Sequence, residues 1–483
     1  MSWEVRVVRN RYVDSVRLMQ VAQAVRSRDG VRACEILAGT PANLELLAGL
    51  EVSADAAPGD VVIAVESPGG AGGALDAVER ELASTAGGGA PAGVAVAPPR
   101  SLGAAARVLD GANLALISLP GEYAVLEAHR ALTAGMHVFL FSDHVSAADE
   151  VALKRRGAER GLLVMGPGCG TAMLGQVALG FANEVRSGPI GIVAAAGTGA
   201  QEAAVLLDAA GTGVSHIVGV GGRDLSASVG GIMFREGMRL LAADDETETL
   251  LLVSKPPARE VVDGLGSVDV DGRRVIAAFV GWEGGDAPFE VHPTLEAGAF
   301  AAAGVEAPGA AELHAQIDRL PRPGPESTLL GLYSGGTLAA EAATILEPVL
   351  GRIGGNAGGG GQDGHRIFDL GEEEYTQGRP HPMVDLEPRL RMLRGAVADP
   401  RVGCVLLDVV TGHGSHADPA GGLAEPLAAL ARDRPVIAHV CGTPADPQDA
   451  RRQETVLRDS GVVVAPSNAV AARLAARALG AVA

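Results

Sequence analysis

Two short turns hold residues that are suited to binding an anion. The segments IVAAAGTGAQEAAVLL (192–207) and LYSGGTLAAEAATIL (332–346) each run from an apolar strand through a glycine-containing turn into a helix. Glycine lets the backbone approach a ligand closely, and the free N–H groups at a helix start attract phosphate or carboxylate. Glycine and threonine are also favoured at such turns simply because they cap the following helix, without any ligand. Because the turn occurs twice, we expect a paired anion site formed by Gly197, Thr198, Gly199, Ser334, Gly335, Gly336 and Thr337.

Two further loops carry charged side chains that can act on a bound anion. GVGGRDLSASVGG (219–231) follows a strand of the first copy, and DLGEEEYTQGRPHPM (369–383) occupies the equivalent place in the second. Ligands bind at the carboxyl ends of parallel strands, so we expect Arg223 and Arg379 to clamp phosphate or carboxylate. The residues expected in proton transfer or orientation are Asp224, His381 and Asp385. A histidine between two prolines can equally be a packed or capping residue.

The elements that position these turns form two copies of one α/β unit. A glutamate stands four residues after the matched threonine in both copies, VIAAFVG (275–281) matches VIAHVCG (436–442), and each copy closes with an alanine-rich helix. The duplication predicts a pseudo-symmetric site with one helix start from each copy. Lys255 has no counterpart in the second copy, where Val410 stands, so we interpret it as a lysine that ends a strand.

The whole chain is predicted to be a multi-domain α/β protein. Strands and helices alternate over residues 1–95 in a βαββαβ-like order, which is typical of a small ferredoxin-like α+β domain. Residues 96–186 have apolar strands that each end in a turn, the pattern of a Rossmann-like, doubly wound parallel sheet. The repeats follow at 187–325 and 326–483. Two glycine-rich segments, expected to be a linker and a mobile loop, are 86–100 and 356–364.

Composition excludes several classes of protein. The chain has 483 residues, a net charge of −19 and a mean hydropathy of +0.22. An acidic surface disfavours nucleic acid, and no apolar run reaches the roughly 18 residues of a membrane helix. The start lacks the apolar core of a signal peptide, and the four cysteines show no metal or disulfide spacing. We therefore expect a cytoplasmic protein without bound metal, in which Cys169 is a buried thiol.

Several motifs resemble those of known enzymes. GPGCGTAMLG (166–175), GPIGIVAAAGTGAQEA (188–203) and the Gly-Gly-Arg-Asp loop resemble the α subunit of succinyl-CoA synthetase, and the second repeat resembles the ligase domain of its β subunit. Nearly the full length of the chain resembles the FdrA family. The motifs that carry this resemblance are VRNRYVDSVRLM, GTPANLELL, PRSLGAA, ANLALISLPGEYA, GLYSGGTL, GRPHPM and GTPADPQ. The resemblance implies a Rossmann-type CoA-binding domain followed by two flavodoxin-like ligase domains.

Two departures from the synthetase narrow the chemistry that the resemblance implies. The synthetase carries a phosphohistidine in a Gly-His-Ala-Gly motif after the strand that VIAAFVG matches, whereas His292 here lacks flanking glycines. The ATP-grasp domain and a P-loop are also missing from this chain. What remains is the pair of helix starts, which in the synthetase hold the phosphorylated histidine.

The resemblance also implies a multi-subunit enzyme. FdrA-type proteins are labelled acyl-CoA synthetases by similarity, and some are associated with oxamate carbamoyltransferase, which forms carbamoyl phosphate and oxamate from oxalurate and phosphate. That reaction needs neither nucleotide nor phosphohistidine, so we expect a carbamoyltransferase subunit of allantoin-type nitrogen catabolism, without a cofactor. It would bind phosphate or carbamoyl phosphate, a small carboxylate or amide, and other protein subunits. The alternatives are an acyl-CoA ligase subunit that binds CoA, with its ATP-grasp partner on another chain, and a non-catalytic scaffold.

Overall fold

The computed structural model describes most of the chain. The described residues are 3–11, 13, 15–26, 28, 30–50, 52–84, 99–358, 364–376 and 380–481. They form two compact units, one comprising Met1–Pro98 with Thr376–Val384 and the other comprising Pro99–Tyr375 with Asp385–Ala483. Much of the expected linker at 86–100 and of the expected mobile loop at 356–364 lies outside the described residues.

In the first unit three strands alternate with three helices. The elements are β1 (Trp3–Val8), α1 (Ser15–Arg26), β2 (Ala33–Ala38), α2 (Pro41–Gly49), β3 (Val61–Glu66) and α3 (Gly72–Ser84). Strand β3 lies between β1 and β2 and is antiparallel to both. Alternating apolar side chains of the strands, such as Ile36 and Ile63, share a core with Leu18 and Val78 of the helices. The described elements follow a βαβαβα order, which differs from the βαββαβ order that the sequence predicts.

The second unit begins with a small parallel sheet. Its elements are α4 (Leu102–Val108), β4 (Leu114–Ile117), α5 (Gly121–Thr133), β5 (His137–Leu140), α6 (Ala147–Glu159) and β6 (Val164–Met165). The strands are ordered β4-β5-β6. The hydroxyl groups of Ser101 and Ser146 cap α4 and α6 by accepting backbone N–H groups of the first turns. Parallel strands joined by helices agree with the doubly wound pattern of the sequence.

A seven-stranded sheet follows in the same unit. Its elements are β7 (Thr171–Leu174), β8 (Val177–Gly180), β9 (Ser187–Ala195), α7 (Gly197–Ala209), β10 (Val214–Gly219), α8 (Ile232–Ala242), β11 (Thr249–Ser254), α9 (Arg259–Leu265), β12 (Arg274–Phe279), β13 (Glu290–His292) and α10 (Leu295–Ala303). The strand order is β13-β12-β11-β9-β10-β7-β8. Strands β9 to β13 are parallel, and the hairpin of β7 and β8 adds two antiparallel strands at one edge.

A five-stranded, fully parallel sheet completes the unit. The elements are α11 (Ala311–Ile317), β14 (Thr328–Tyr333), α12 (Gly336–Leu350), β15 (Arg366–Asp369), α13 (Glu373–Thr376), α14 (Glu387–Ala398), β16 (Val402–Val410), α15 (Pro419–Leu430), β17 (Val436–Cys441), α16 (Ala450–Asp459), β18 (Val463–Ala465) and α17 (Asn468–Ala478). The strand order is β15-β14-β16-β17-β18. Every residue of the central strand β16 is buried, as expected for a parallel strand covered by helices on both faces.

The two larger sheets repeat the same succession of elements. Strand β9, its glycine turn and α7 correspond to β14, its glycine turn and α12, and the closing helices α10 and α17 also correspond. The predicted α/β class with parallel sheets is therefore confirmed. Among the described helices, none is both long enough and apolar enough to cross a membrane.

Candidate functional site

The two glycine turns lie directly against each other. A Cβ atom built on Gly335 would lie 2.9 Å from the hydroxyl oxygen of Thr198, and a Cβ built on Gly199 would lie 2.8 Å from the methyl group of Thr337. Real Cβ atoms do not approach their neighbours that closely, so both contacts depend on glycine. The starts of α7 and α12 therefore meet, as the sequence repeat predicts, and their contact leaves no space for a side chain at Gly199 or Gly335.

The second turn already binds an anion that the chain itself supplies. The carboxylate of Asp408, in β16, accepts the N–H groups of Ser334 and Gly335 at 2.8 Å and the hydroxyl of Ser334 at 3.0 Å. Arg389 of α14 pairs with the same carboxylate at 2.7 Å, and both side chains are buried. Ser334 and Gly335 therefore donate to an internal carboxylate, where the sequence predicts a phosphate.

The first turn has no such carboxylate. Val253 of β11 stands at the position that corresponds to Asp408, one strand away from the turn. No side chain caps α7, and its first backbone hydrogen bond runs from the Ala200 N–H to the Ala196 carbonyl. In the part of the chain that the structure describes, no acceptor contacts the N–H groups of Gly197, Thr198 and Gly199. The positive end of α7 is thus available to a ligand.

A small cavity adjoins the start of α7. It has a volume of about 20 Å³, and glycines of three loops line most of its wall. The lining residues are Gly168, Cys169, Gly170, Thr171, Ala194, Ala196, Gly197, Gly219, Gly221 and Gly222. A Cβ atom on Gly197 would lie 3.4 Å from the hydroxyl of Thr171, so this hydroxyl also borders the helix start. The volume fits one small group, such as a phosphate oxygen.

Lys255 and Asp369 lie beside the start of α12. A Cβ atom built on Gly336 would collide with Asp369 Oδ2 and would lie 3.2 Å from Lys255 Nζ. The Lys255 side chain is 44% exposed, with Nζ 3.8 Å from a carboxylate oxygen of Glu372. Of the 39 lysines and arginines in the chain only two are lysines, and the other, Lys154, is fully buried. Lys255 is therefore the lysine that can reach a ligand. The scarcity of lysine in the sequence is the feature that could have singled it out.

The carboxyl group of Asp369 has a raised pKa. Burial raises this pKa to about 6, although the positive charge of Lys255 acts in the opposite direction. Oδ1 accepts the N–H of Gly371 at 2.9 Å, and Oδ2 faces Gly336. A buried carboxyl with a pKa near 6 beside a lysine is typical of an acid–base catalyst. The sequence includes Asp369 in the loop 369–383 but offers no local reason to select it, because its burial depends on distant residues.

Arg223 and Asp224 stabilise the loop on which they lie. Asp224 is fully buried and accepts Lys154 Nζ at 2.6 Å and the N–H of Phe234, in the first turn of α8, at 2.9 Å. Arg223 pairs with Glu150 of α6 at 2.9 Å, and half of its side chain is exposed. The structure therefore gives Asp224 a structural role and directs the Arg223 guanidinium toward α6. Proton transfer or orientation by Asp224 and anion binding by Arg223 stay predictions.

The three residues predicted to be catalytic fall in different parts of the chain. Arg379 lies outside the described residues. His381 belongs to the segment that groups with the first unit, and its Nδ1 accepts the N–H of Met383 at 3.3 Å. Asp385 belongs to the second unit, where its carboxylate accepts the N–H of Glu387 at 3.0 Å, at the start of α14. The catalytic role of all three stays a prediction.

The duplicated glutamates join the two repeats. Glu202 of α7 accepts the N–H of Asn468 at the start of α17 at 3.2 Å. In the corresponding contact, Glu341 of α12 accepts the N–H of Leu295 at the start of α10 at 2.6 Å. Each glutamate therefore caps the closing helix of the other repeat, which explains why the glutamate recurs at the same distance from both turns.

Both capping glutamates belong to one buried polar cluster. Glu202 pairs with His439 at 2.6 Å, and Glu341 accepts the side-chain amide of Asn468 at 2.7 Å. Burial raises the pKa of Glu341 to about 7. Burial acts to lower the pKa of His439, but the adjacent Glu202 carboxylate outweighs this effect and raises it. The cluster thus holds a charged pair and a carboxyl group that titrates near neutral pH.

Neither Cys169 nor His292 is placed to carry a reacting group. Cys169 is buried, its thiol donates to the Thr171 carbonyl at 3.4 Å, and burial raises its pKa to about 12, so the nucleophilic thiolate is disfavoured. His292 ends the edge strand β13, and its Nε2 contacts a carboxylate oxygen of Glu290 at 2.8 Å. The expected buried thiol is confirmed, and His292 does not enter the contact between the two turns.

Comparison with known proteins identifies relatives of the whole chain and of its parts. A family model described as CoA-ligase matches residues 332–478, and one described as AllF, heavy metal-associated domain, matches residues 1–95. The uncharacterized protein YahF of Escherichia coli (strain K12) is 34% identical over 97% of both chains. Succinate–CoA ligase α subunits of Trichomonas vaginalis and Archaeoglobus fulgidus are 34% and 31% identical over 30% and 31% of this chain. The chain spans about half the length of these two subunits, 47% and 52%.

Two solved structures are similar to most of the chain at low TM-scores. PH0766 from Pyrococcus horikoshii OT3 is 17% identical with a TM-score of 0.30, over 79% of this chain and 85% of its own. The apo form of the dinucleotide-forming acetyl-coenzyme A synthetase 1 of Ca. Korarchaeum cryptofilum is 15% identical with a TM-score of 0.30, over 79% and 86%. Scores this low support no statement about the activity of this chain.

The residues of the first unit do not fit a heavy metal. Soft metal ions are bound by thiolates, and the only cysteine in residues 1–95 is Cys34 of β2. Its thiol is buried, and burial raises its pKa to about 12. Across the residues that the structure describes, no group of three or more His, Cys, Asp or Glu side chains is arranged to hold a metal ion.

Proposed function

We propose, since this chain belongs to the FdrA family of succinyl-CoA synthetase-like proteins, that it is a subunit of an acyl-CoA synthetase-type enzyme. The CoA-ligase model over residues 332–478 and the similarity to succinate–CoA ligase α subunits support this reaction class over the carbamoyltransferase that the sequence suggests first. Within the class, the proposed step passes an acyl group between phosphate and CoA, so that acyl phosphate and CoA give acyl-CoA and inorganic phosphate.

The start of α7, together with Lys255 beside the adjoining start of α12, carries the proposal. Ser254 and Ala195 are register partners on neighbouring strands, so the residues that follow them, Lys255 and the first glycine turn, leave the sheet at the same edge. Three free N–H groups and one lysine suit a phosphate group that bears two negative charges. Asp408 occupies only the N–H groups of Ser334 and Gly335, which precede α12, so the first-turn N–H groups of α12 also have no acceptor among the described residues.

The proposed step uses these groups in separate roles. The CoA thiol loses its proton to Asp369 and attacks the carbonyl carbon of the acyl phosphate, which forms the C–S bond. The C–O bond to phosphate breaks, and inorganic phosphate leaves toward the N–H groups of Gly197–Gly199 and Lys255, which stabilise its charge. A carboxyl group with a pKa of about 6 is largely ionised at neutral pH and can accept this proton.

This step needs neither a nucleotide nor a phosphohistidine. His292 lies on the edge strand β13, where it pairs with Glu290, and this placement supports a route through free acyl phosphate. Formation of the acyl phosphate from a carboxylate and ATP would then belong to a nucleotide-binding subunit on another chain. We therefore propose other protein subunits as partners, with CoA and phosphate as ligands of this one.

Carbamoyl transfer is the second candidate, because it would use the same phosphate site. In that reaction phosphate attacks oxalurate, and carbamoyl phosphate and oxamate are formed. The pairing of His292 with Glu290 on an edge strand favours this reaction over a complete ligase cycle through a phosphohistidine. None of the relatives described above is named as a carbamoyltransferase, so it ranks below acyl transfer to CoA.

An assay of the full-length protein with its partner subunits separates the candidates. We expect thioester formation from CoA and acetyl or succinyl phosphate, measured by absorbance. Gly197→Val should lower the rate at least about 100-fold by blocking the helix start, since removal of a single oxyanion donor costs that much. The matched variant Gly395→Val, at a position in α14 with open space around it, should keep the rate. Carbamoyl phosphate formed from oxalurate, without any thioester, would replace the proposal with the second candidate.

A further inference from the structure

A second cavity lies at the opposite edge of the sheets. It has a volume of about 510 Å³ and is bordered by the first residues of β4 and β5, by β10 and by the end of α8. The glycine turns follow the carboxyl ends of the strands, whereas this cavity lies at the amino ends of β4 and β5. It is therefore separate from the proposed phosphate site. Its volume falls within the roughly 300–1,000 Å³ that small-molecule sites occupy.

Two histidines border this cavity as hydrogen-bond donors. Nδ1 of His137 accepts the N–H of Leu163 at 3.0 Å, and Nδ1 of His216 accepts the N–H of Gly175 at 3.0 Å. A neutral imidazole whose Nδ1 accepts a hydrogen bond carries its proton on Nε2. Burial lowers the pKa of His137, which favours its neutral form. Both side chains are thus held in the tautomer that donates from Nε2.

The remaining polar groups of the cavity disfavour an anionic ligand. Neither lysine nor arginine lines it, and its one carboxylate, Asp244, lies 3.5 Å from His216 Nε2 and accepts the Thr247 hydroxyl at 2.6 Å. The side-chain amide of Asn113 has no hydrogen-bond partner among the described residues, so both its donor and its acceptor are available. Most other lining residues are apolar, with Leu174 and Leu241 among them.

We propose that this cavity binds a small uncharged molecule with a planar apolar body and an amide edge, such as a carboxamide or a heterocyclic lactam. Its carbonyl oxygen accepts from His137 Nε2, and its amide group pairs with the Asn113 side chain. The apolar body packs against Leu174 and Leu241. The ligand and its site are independent of the acyl transfer proposed above, because they involve the other edge of the sheets.

A titration of the full-length protein with benzamide and benzoate tests this proposal. The two probes have the same size and shape but differ in charge. By ligand-observed NMR we expect saturable benzamide binding with a Kd on the order of 1 mM, as is usual for nine non-hydrogen atoms, and at least tenfold weaker binding of benzoate. Asn113→Ala should weaken benzamide binding several-fold while leaving the fold unchanged, because the amide makes no contact within the described chain.

Two tryptophan variants locate the binding. Leu174→Trp is expected to fill the cavity and abolish benzamide binding, whereas Leu126→Trp, on the exposed side of α5, should bind as the wild type does. Circular dichroism verifies that both variants are folded. Lys255→Met should keep full benzamide binding, whatever its effect on acyl transfer. Equal benzamide affinity of Leu174→Trp and wild type, equal affinity for benzoate and benzamide, or no saturable binding would each overturn the proposal.

Discussion

A single residue difference distinguishes the surroundings of the two turns. Asp408 and Val253 stand at corresponding positions of the two repeats, next to the strands that lead into the turns. The carboxylate of Asp408 accepts the N–H groups of Ser334 and Gly335, whereas Val253 offers no acceptor to the corresponding residues of the first repeat, Ala195 and Ala196. One residue difference thus gives the second turn an internal ion pair that the first turn lacks, while the first-turn N–H groups of both helices have no acceptor among the described residues.

At the same scale, Lys255 is predicted to contribute to phosphate binding. Lys255→Met should raise the Kd for inorganic phosphate by roughly 10- to 100-fold, since a hydrogen bond to a charged group contributes about 1.5–3 kcal/mol. Isothermal titration calorimetry measures this change. Arg274→Met removes the same charge from the amino-terminal end of β12 and should leave the Kd unchanged. An equal loss in both variants would show that net charge, and not Lys255 itself, is responsible.

Asp369 is predicted to set the pH dependence of the proposed reaction. Its pKa is raised to about 6, and only the ionised form accepts a proton, so the rate should fall as the pH decreases through 6. Asp369→Asn should lower the rate at pH 7.5 by roughly 10²- to 10⁴-fold and remove this limb of the profile. Rates measured between pH 5 and 8 test both expectations, with exposed Asp433→Asn as the control. If the rate of Asp369→Asn still falls as the pH decreases through 6, another group causes this pH dependence.

At the scale of elements, the helix starts join the two repeats. The starts of α7 and α12 contact each other through Gly199, Thr337, Gly335 and Thr198. The starts of α10 and α17 are each capped by a glutamate from the other repeat. The two glutamate contacts satisfy backbone N–H groups that a helix leaves unpaired at its first turn, and such groups are costly to bury without a partner.

The turn before α12 is predicted to be a major source of stability. Asp408→Ala leaves the buried Arg389 charge without its partner and leaves the N–H groups of Ser334 and Gly335 without an acceptor. The free energy of unfolding should decrease by about 3–5 kcal/mol, as is usual when one member of a buried ion pair is removed. Urea denaturation measures it. Asp433→Ala, which breaks a surface pair with Arg434, should cost about 1 kcal/mol or less. Equal losses would contradict a buried role for Asp408.

At the scale of the whole molecule, the two repeats of the second unit depend on each other. The closing helix of each repeat has its own N-cap, Thr294 or Ser467, and receives a second acceptor from the other repeat, Glu341 or Glu202. Asn468 links both glutamates, because its N–H and its side-chain amide each contact one of them. The duplication therefore produces one folding unit in which the repeats are expected to unfold together.

The stability of this unit is predicted to depend on pH through Glu341. Its pKa is raised from 4.5 to about 7 in the folded chain, so between these values the folded chain binds more protons than the unfolded chain. The free energy of unfolding should therefore decrease as the pH rises through this window, by roughly 3 kcal/mol from this group. Glu341→Gln should lack that decrease. Urea denaturation at pH 5 and pH 8 tests the difference, and identical pH dependence of wild type and variant would exclude Glu341 as its source.

The sequence by itself determined the α/β class, the duplication and the strand–glycine–helix turns. These features depend on hydrophobic periodicity and on turn residues, and both act over a few neighbouring positions. The matched glutamates were also visible, although their capping role was not. For the same reason the sequence predicted two equivalent anion turns, since nothing within either turn distinguishes them.

Only the tertiary structure decided which residues surround those turns. Asp408 contacts Ser334, which is 74 positions away in the sequence, and Glu202 contacts Asn468, which is 266 positions away. Burial then altered the chemistry of Asp369 and removed Asp224 from the list of residues that can reach a ligand. Contacts of this length arise from the packing of whole sheets and helices. The charge, burial and pKa of a side chain at the site therefore follow from distant neighbours, which no local pattern specifies.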